Sequence, residues 1–556
     1  MGDVTGANGT GKGAPRRPRM WRVVVVLASL ALPLVGASPA AGARSEFFGM
    51  GQRAPWAEQD LQRMSALRVR TDRIMLFWGS VQPTKGSFNW GPTDRLVGSL
   101  ASHGVRTVPA VWGNPDWVGG GASTPPTFGP GAEQAWRTFL KAAVARYGTG
   151  GSYWTTGYRQ QFPGRAALPI QSWQIWNEPN LQKFFAPAPS PSKYGRLVKI
   201  SHDAIKSQDP RAQIVLAGMT SNGDMTAWNF LSNLYSVAGI KAYFDAAALH
   251  PYASDVDHVR QAMGRFRAVM VNRGDRATPL WVTEFAWGSA PPDRFGINKG
   301  LTGQAQLLTS SYRMILSNRT VWNVQRLFWY RLRDPRYPVA QCSFCGSAGL
   351  VRYDQSTKPA YFAFRAFSAE TTPPVARITG GPAQGGFTRD PTPTFSFSSS
   401  EPGSTFVCRF GAQPYAPCSS PFTRGSPLPN GPATFSVKAI DAPGNESAAV
   451  SRSFTVDTQP PPAPQITDTD PDSPANNNSP KVKGSAEPLS RVRLYKTAGC
   501  TGTALAQGWA GQFAAPGISV SVADNTTTAF RARAIDRAGN ISACSAPLYY
   551  VEDSTP

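Results

Sequence analysis

The chain has 556 residues, of which 41% are hydrophobic and 11% aromatic, and its formal net charge is +22. At about 100–200 residues per domain, this length predicts about three domains, and the hydrophobic content argues against intrinsic disorder. No block of five or more like charges occurs. Such a charge could favour binding to nucleic acid, to anionic cell-wall polymers or to acidic polysaccharide. Because the basic residues are spread through the chain, a solvated basic surface is favoured over all three.

Residues 1–43 predict a leader and an export signal. A basic stretch at residues 16–22 precedes an apolar run at residues 23–35, and small residues at 41–43 form a cleavage site. Because the apolar run is too short to span about 30 Å of hydrocarbon, a cleaved signal is favoured over a membrane anchor. The mature chain is expected to be secreted, with no stable membrane insertion after cleavage.

Residues 44–370 alternate short apolar runs with amphipathic stretches. The predicted strands are 47–51, 69–75, 105–111, 172–177, 213–218, 243–249, 280–283 and 326–330. Helical patterns between them include 131–147, 192–208, 257–273 and 303–317. These alternations predict an α/β fold, a (β/α)8 TIM barrel. The structural rival is an open doubly wound sheet, which normally carries a Gly-rich phosphate loop after its first strand; the sequence lacks one.

The chain after residue 370 is rich in Ser, Thr, Pro and Gly, and it contains an internal repeat. Residues 438–448 match residues 533–543 at an offset of 95 residues. A unit of this length made of short strands predicts two all-β immunoglobulin-like sandwiches, at 371–458 and 459–556. They resemble the immunoglobulin-like or type III fibronectin-like modules that are appended to secreted bacterial enzymes.

The six cysteines of an exported chain suggest three disulfides. Pairing them in sequence order predicts Cys342–Cys345, Cys408–Cys418 and Cys500–Cys544. The Cys342-x-x-Cys345 spacing could also be half of a zinc site, but no second pair or nearby His completes it.

Two glutamates end predicted strands of the barrel. Glu178 lies in Trp176-Asn177-Glu178-Pro179 after the fourth strand, and Glu284 ends the seventh. Active sites of such barrels lie at the carboxyl ends of the strands. Retaining glycoside hydrolysis needs two carboxyl groups about 5–5.5 Å apart, one to protonate the leaving oxygen and one to attack the anomeric carbon. A single such Glu is more often a helix cap or an ion-pair partner, but two at these positions favour catalysis.

Asn-Glu-Pro after strand 4, together with a second Glu after strand 7, resembles the clan A glycoside hydrolases. The segment from Ile175 to Leu181, followed by Tyr194 and a helix to Asp209-Pro210, is similar to family 39, and family 5 is nearly as similar. The resemblance implies that Glu178 is the acid/base and Glu284 the nucleophile, with no cofactor and no metal.

The same resemblance implies substrate-binding positions at Arg73, Trp112, Asn177, His250, Tyr252 and Trp329. Asn177 would hydrogen-bond the 2-hydroxyl of the sugar, and Trp329 would form an aromatic floor beneath it. Arg73 and either His250 or Tyr252 would contact the nucleophile. Trp112 departs from the pattern, since the clan often has a His there. Without the resemblance, Arg73 could be an ordinary ion-pair residue and Trp329 a core residue.

The sequence thus predicts a secreted retaining β-glycoside hydrolase acting on a poly- or oligosaccharide. Xylan, mannan, β-glucan and galactan all fit. A catalytically silent barrel used for carbohydrate binding or adhesion is one rival, although it predicts the loss of a carboxylate. A transglycosylase is another rival, since it uses the same covalent intermediate. The C-terminal domains could be spacers or could contact a cell-wall polymer.

Overall fold

The computed structural model describes residues 46–51, 56–291, 296–337, 339 and 342–554. The predicted leader and signal, residues 1–43, lie outside the described residues. Within the described part of the chain, no helix combines the length and the apolar character needed to cross a membrane.

Eight parallel strands form a closed barrel in which each strand pairs with its neighbours along the chain and β8 closes onto β1. The prediction of a TIM barrel is confirmed, and the open doubly wound sheet is excluded. The strands are β1 (Phe48–Gly51), β2 (Thr71–Phe77), β3 (Arg106–Trp112), β4 (Ser172–Ile175), β5 (Gln213–Thr220), β6 (Ala246–His250), β7 (Leu280–Phe285) and β8 (Val324–Tyr330).

Helices pack around the barrel. They are α1 (Glu58–Ala66), α2 (Trp78–Val81), α3 (Gly91–Ser102), α4 (Pro130–Tyr147), α5 (Ser152–Thr155), α6 (Gly157–Gln161), α7 (Pro191–Lys206), α8 (Ala227–Leu234), α9 (Val256–Asn272), α10 (Gly300–Ser317), α11 (Arg319–Trp322) and α12 (Pro359–Ser368). The local sequence explains where two of these helices begin. Ser190 caps α7 by accepting the Lys193 N–H, and Asp255 caps α9 by accepting the His258 N–H.

The barrel has two apolar layers. A small cluster fills its interior and includes Trp281 and Phe328, whereas a much larger cluster lies between the strands and the helices. Gly49 on β1 makes room for the interior ring, because a Cβ there would lie 2.4 Å from Phe328. Side chains of alternate strand residues thus belong to different layers, which decides below which aromatic residues can reach the site.

Two all-β regions follow the barrel, as predicted. The first contains β9 (Ala376–Gly380), β10 (Gly386–Thr388), β11 (Thr394–Ser399), β12 (Thr405–Phe410), β13 (Ala416–Cys418), β14 (Phe422–Thr423), β15 (Gly431–Ile440) and β16 (Val450–Val456). The second contains β17 (Gln465–Asp470), β18 (Lys481–Ser485), β19 (Arg491–Tyr495), β20 (Ala506–Trp509), α13 (Ala510–Ala514), β21 (Ile518–Ser519), β22 (Thr527–Ile535) and β23 (Leu548–Val551). Each region has two sheets and an apolar core of its own.

The repeated Asp-x-x-Gly-Asn motif forms the same turn in both copies. Asp441 accepts hydrogen bonds from the backbone of Gly444 and Asn445, and Asp536 accepts one from Asn540. Gly444 and its counterpart have φ of 99° and 91°, which explains why glycine is repeated there. The structure also contains three disulfides, which join the cysteines in the pairs that sequence order predicted.

Candidate active site

Glu178 and Glu284 lie together at the mouth of the barrel. Their side chains are 12% and 13% exposed, so each is mostly shielded but can still be reached from the solvent. One oxygen of each carboxylate and one nitrogen of His250 all lie within 4.8 Å of one another. An oxygen-to-oxygen distance of no more than 4.8 Å is below the roughly 6.5–9.5 Å of inverting glycosidases and is compatible with the retaining geometry.

An unusual backbone at the end of β4 points Glu178 into the mouth. Trp176 and Glu178 have φ of 76° and 41°, in the left-handed region that non-glycine residues seldom adopt. Two hydrogen bonds hold them there: Trp176 Nε1 donates to the Phe184 carbonyl at 2.6 Å, and the Glu178 N–H donates to the Gly218 carbonyl at 3.2 Å. Such conformations cost about 1–3 kcal/mol each and cluster at functional sites.

An irregularity in β7 places two consecutive side chains at the site. The register between β7 and β8 shifts between Val282 and Phe285. As a result, Thr283 contacts His250 inside the barrel while Glu284 reaches Arg73. In a regular strand these two side chains would point to opposite faces, and bulges of this kind commonly redirect a side chain next to an active site.

Arg73 on β2 joins three polar groups beneath the site. Its side chain is 3% exposed. Nη1 lies 2.5 Å from Glu284 Oε1, Nη2 donates to Asn177 Oδ1 at 2.8 Å, and Nε donates to Gln174 Oε1 at 2.5 Å. The guanidinium therefore contacts both the nucleophile candidate and Asn177 and holds them next to each other.

His250 and Tyr252, which follow β6, contact different carboxylates. The Tyr252 hydroxyl donates to Glu284 Oε2 at 3.0 Å. His250 Nδ1 lies 2.9 Å from Glu178 Oε1 and 3.8 Å from Glu284 Oε2. The contact to the nucleophile is thus made by Tyr252, and the hydrogen bond of His250 goes to the acid/base candidate. Gly218 makes room for the imidazole, since a Cβ there would lie 1.9 Å from His250 Nε2.

The surroundings of Glu284 favour its ionised form. Burial raises the pKa of this carboxyl, but the charges of His250 and Arg73 and the hydrogen bonds from Tyr252 and Arg73 outweigh burial and hold it below the ordinary value of 4.5. Burial and the neighbouring carboxylates raise the pKa of Tyr252 well above its usual value, so this hydroxyl keeps its proton and donates it. A group held as an anion is suited to be the nucleophile.

Gln174 and Thr283 complete a hydrogen-bond chain that sequence reasoning missed. Both are fully buried. Gln174 Nε2 donates to Thr283 Oγ1 at 3.2 Å, and Thr283 Oγ1 lies 3.0 Å from His250 Nε2. When Glu178 is ionised, its oxygen can only accept, so Nδ1 of His250 carries the proton of the hydrogen bond between them, and the Thr283 hydroxyl holds the other side of the ring. His250 then donates to Glu178. The sequence signals were a polar residue within an apolar strand and a Thr next to Glu284.

Asn180, the last residue of the Asn-Glu-Pro-Asn segment, braces the loop that carries Glu178. It is fully buried. Its Oδ1 accepts the Thr220 N–H at 3.1 Å, while Nδ2 donates to the carbonyls of Thr220 and Met225 at 2.8 and 2.7 Å. Every polar atom of the amide is used to hold this loop against the end of β5. We therefore interpret Asn180 as a positioning residue.

We expect Thr283→Val to lower kcat about tenfold, because it removes the hydroxyl that orients His250 while preserving volume. The loss should be larger for aryl glycosides with poor leaving groups, which depend most on proton donation. The comparison is kcat/KM across a series of leaving groups, with Thr283→Ser as the matched control that keeps the hydroxyl. Equal losses for Val and Ser, or no dependence on the leaving group, would contradict this role for Thr283.

Arg73→Lys should lower kcat/KM about 10²-fold, since a single ammonium nitrogen cannot reach the three acceptors that three separate guanidinium nitrogens contact. Wild-type Glu284 keeps its charge as the pH falls towards 4.5 and below, because its pKa is depressed. Weakening the Arg73 contact removes part of that effect, so the acid limb of the pH–rate profile should move to higher pH. An unchanged acid limb in a folded variant would show that Arg73 does not set the charge of Glu284.

The prediction that Trp329 forms the floor of the sugar site is wrong. Trp329 is fully buried, its Nε1 donates to the Ala348 carbonyl at 3.0 Å, and its ring packs edge-on against Tyr312 of α10. Strand alternation places it in the layer towards the helices, while Phe328 faces the barrel interior. Tyr330, the next inward residue, is half-buried and packs edge-on against Tyr252.

Trp112 lies at the rim, at the end of β3. It is half-buried, and its ring packs edge-on against Phe77 and Phe184, with centroids 5.2 and 5.5 Å away. Phe184 belongs to the loop after β4, so Trp112 supports the loop that carries Glu178. A substrate contact by Trp112 stays a prediction.

Residues 160–346 match the family model of the glycosyl hydrolase catalytic core. Comparison with curated proteins gives no match. Among solved structures, a family 39 glycoside hydrolase from Bacteroides cellulosilyticus aligns with 16% identity over 75% of this chain and 80% of that one, with a TM-score of 0.45. A GH39 β-xylosidase from Caulobacter crescentus aligns with 16% identity over 72% and 79%, with a TM-score of 0.45.

Xylanase 10B from Thermotoga petrophila aligns with 16% identity over 58% of this chain and 93% of that one, with a TM-score of 0.41. The matched family segment begins before β4 and ends after β8, so it includes both carboxylates, His250 and Tyr252. The expectation of a glycoside hydrolase is therefore confirmed at the level of its catalytic core, to which residues 160–346 of this chain are similar.

Proposed function

We propose that this protein is a secreted retaining β-glycoside hydrolase that cleaves an extracellular poly- or oligosaccharide. The observation that carries the proposal is the pair of carboxylates at the barrel mouth, with oxygens within 4.8 Å and with different partners. Glu284 is contacted by a guanidinium and a phenol, whereas Glu178 is contacted by an imidazole. Two carboxyl groups in unlike environments are suited to unlike roles.

In the first step, the Glu284 carboxylate attacks the anomeric carbon while the glycosidic C–O bond breaks. Glu178 gives its proton to the leaving oxygen, and a covalent glycosyl-enzyme forms on Glu284. In the second step, Glu178, now ionised, takes a proton from water, and the water oxygen displaces Glu284 from the anomeric carbon. Arg73 and Tyr252 hold the leaving carboxylate as an anion, and Asn177 hydrogen-bonds the 2-hydroxyl in this proposal.

The presence of both carboxylates argues against a silent, purely binding barrel, because such a protein has no need for a charged pair held by buried arginine and histidine residues. A transglycosylase would use the same first step and transfer the sugar to another hydroxyl. Secretion is supported by three disulfides, which persist in oxidising compartments. We also propose the boundaries between the parts of the chain: the leader and signal end at residue 43, the barrel at residue 370 and the first C-terminal domain at residue 458.

The test is the stereochemistry of the first product. Aryl β-glycosides of several sugars are screened for cleavage, and the best one is followed by proton NMR from the first turnover. The β-anomer of the free sugar should appear first and mutarotate later. Initial release of the α-anomer would overturn retention, and no cleavage across aryl glycosides and plant polysaccharides would overturn the hydrolase proposal. Transfer products in place of free sugar would favour the transglycosylase.

A further inference from the structure

The second C-terminal domain carries a concentrated positive charge on one sheet face. This sheet has the strand order β20-β19-β22-β23. Val492, Leu494 and the alternate residues of β22 point into the domain core. The outward positions of the two central strands therefore include four arginines: Arg491 and Arg493 on β19, and Arg531 and Arg533 on β22. We call these four residues the arginine face.

The charge of the arginine face is uncompensated. The four strands, all of them described, contain no Asp or Glu. The ion pairs found within the two all-β regions, among the described residues, join Lys438 to Glu446 and Lys483 to Asp468 and Asp470. These ion pairs include none of the four arginines, so no described carboxylate neutralises the charge of the arginine face.

The placement of these arginines on neighbouring strands does not stabilise the sheet. Arg493 and Arg533 are directly opposite each other in the antiparallel pair β19–β22. Like charges in directly opposed positions destabilise a sheet. The Arg491 guanidinium lies 6.0 Å from the centroid of the Trp509 ring, but no described carboxylate pairs with any of the four arginines. An external anion would supply the missing charge.

The internal repeat provides a comparison within the same chain. In the first domain, Val407 is opposite Lys438, as Arg493 is opposite Arg533 in the second. The positions that correspond to the four arginines hold Thr405, Val407, Ser436 and Lys438. The single cation among them, Lys438, is paired with Glu446. The same strand pairing therefore forms without these arginines, so the fold does not require them.

The geometry points to the arginine face as a docking site for an anionic, uronate-bearing polysaccharide. Guanidinium groups bind carboxylates with two parallel hydrogen bonds, a geometry that ammonium groups cannot match. Trp509, at 62% exposure, lies opposite Arg491 and extends the face with a flat ring of the kind on which sugar rings stack. The choice of a polysaccharide over another polyanion rests on the proposed function of the barrel.

The test replaces the arginine face with the residues of the first domain: Arg491→Thr, Arg493→Val, Arg531→Ser and Arg533→Lys in the full chain. These substitutions lower the net charge by three. The matched control is Arg159→Gln, Arg313→Gln and Arg377→Gln, which removes the same charge from exposed positions elsewhere. Affinity electrophoresis and calorimetry then measure binding to polygalacturonate, to an uncharged galactan and to single-stranded DNA.

We expect wild type and control to bind polygalacturonate more tightly than the galactan, with an affinity that falls as salt is added. The face variant should bind polygalacturonate about tenfold or more weakly. Equal affinity of wild type and face variant, or an equal loss in the control, would overturn the proposal. Tighter binding of DNA through the same arginines would overturn it too and assign the face to nucleic acid.

The binding test of the arginine face can be separated from the test of the proposed hydrolase activity. Hydrolysis of small aryl glycosides should be the same in the face variant as in wild type, and Glu284→Ala should bind polygalacturonate normally. If the four-residue variant does not fold, Arg493→Val alone serves, because it relieves the like-charge pair and should leave the melting temperature equal or higher. A melting temperature lowered by this single change would show that the arginine stabilises the sheet and would overturn the proposal.

Discussion

Glu284→Ala should lower kcat for aryl β-glycosides by about 10⁴-fold or more, because it removes the group that forms the covalent intermediate. The space left by the carboxylate lies beside Arg73 and Tyr252, whose donors remain in place. A small anion can enter there and attack the anomeric carbon from the side that Glu284 used. Azide should therefore restore part of the activity and give the α-glycosyl azide, which NMR distinguishes from the β-product.

Tyr252→Phe is the control for this experiment. It keeps Glu284 and removes only the hydrogen bond at 3.0 Å, so its activity should fall far less than that of Glu284→Ala, and azide should have no effect. Melting temperatures of both variants show whether the barrel is intact. A folded Glu284→Ala protein that keeps wild-type turnover, or that yields a β-glycosyl azide, would contradict the assignment of Glu284 as nucleophile.

The barrel and the two carboxylates could be predicted because their signals are local. Each strand is a short apolar run followed by a polar residue, and such runs placed Glu178 and Glu284 at strand ends. The four predicted long helices correspond to α4, α7, α9 and α10. For these elements, local propensity and tertiary packing agree.

The errors and omissions arise where side-chain direction depends on pairing in three dimensions. The family resemblance implies that Trp329 lies at the site, but the alternation of side chains along β8 turns it towards α10. Regular alternation would also have separated Thr283 from Glu284, and only the shifted register of β7 brings both to the mouth. The left-handed backbone at Glu178 likewise has no sequence signal, since glycine is the residue that usually marks such a conformation.

The sequence also does not indicate which of the two carboxylates His250 contacts. The resemblance leaves open whether His250 or Tyr252 contacts the nucleophile. In the structure the hydrogen bond of His250 goes to Glu178, since Gln174 and Thr283 orient its other nitrogen. The space that admits the imidazole exists only because residue 218 on β5 is glycine. Contacts among β4, β5, β6 and β7 together set this geometry, and no single strand contains the information.

Glu178→Gln should separate the two chemical steps. The amide keeps the shape of the side chain but cannot donate or accept the catalytic proton, so turnover of natural oligosaccharides should fall by about 10²–10⁴-fold. Glycosides with good leaving groups need no protonation, so their first step should stay fast and the glycosyl-enzyme should accumulate. A burst of released phenol, followed by slow turnover, is the expected time course, and mass spectrometry should detect the sugar on Glu284.

The matched control is His250→Phe, which removes the partner of Glu178 but leaves the carboxyl in place. This control should lose less activity on natural substrates and should not accumulate the intermediate, because Glu178 can still take the proton from water. Rescue of Glu178→Gln by azide should give the β-glycosyl azide, since the anion then attacks in the second step, from the face opposite Glu284. The two azide products, α from Glu284→Ala and β from Glu178→Gln, therefore assign each carboxylate to one face of the sugar. The same anomer from both variants would refute the assignment of the pair.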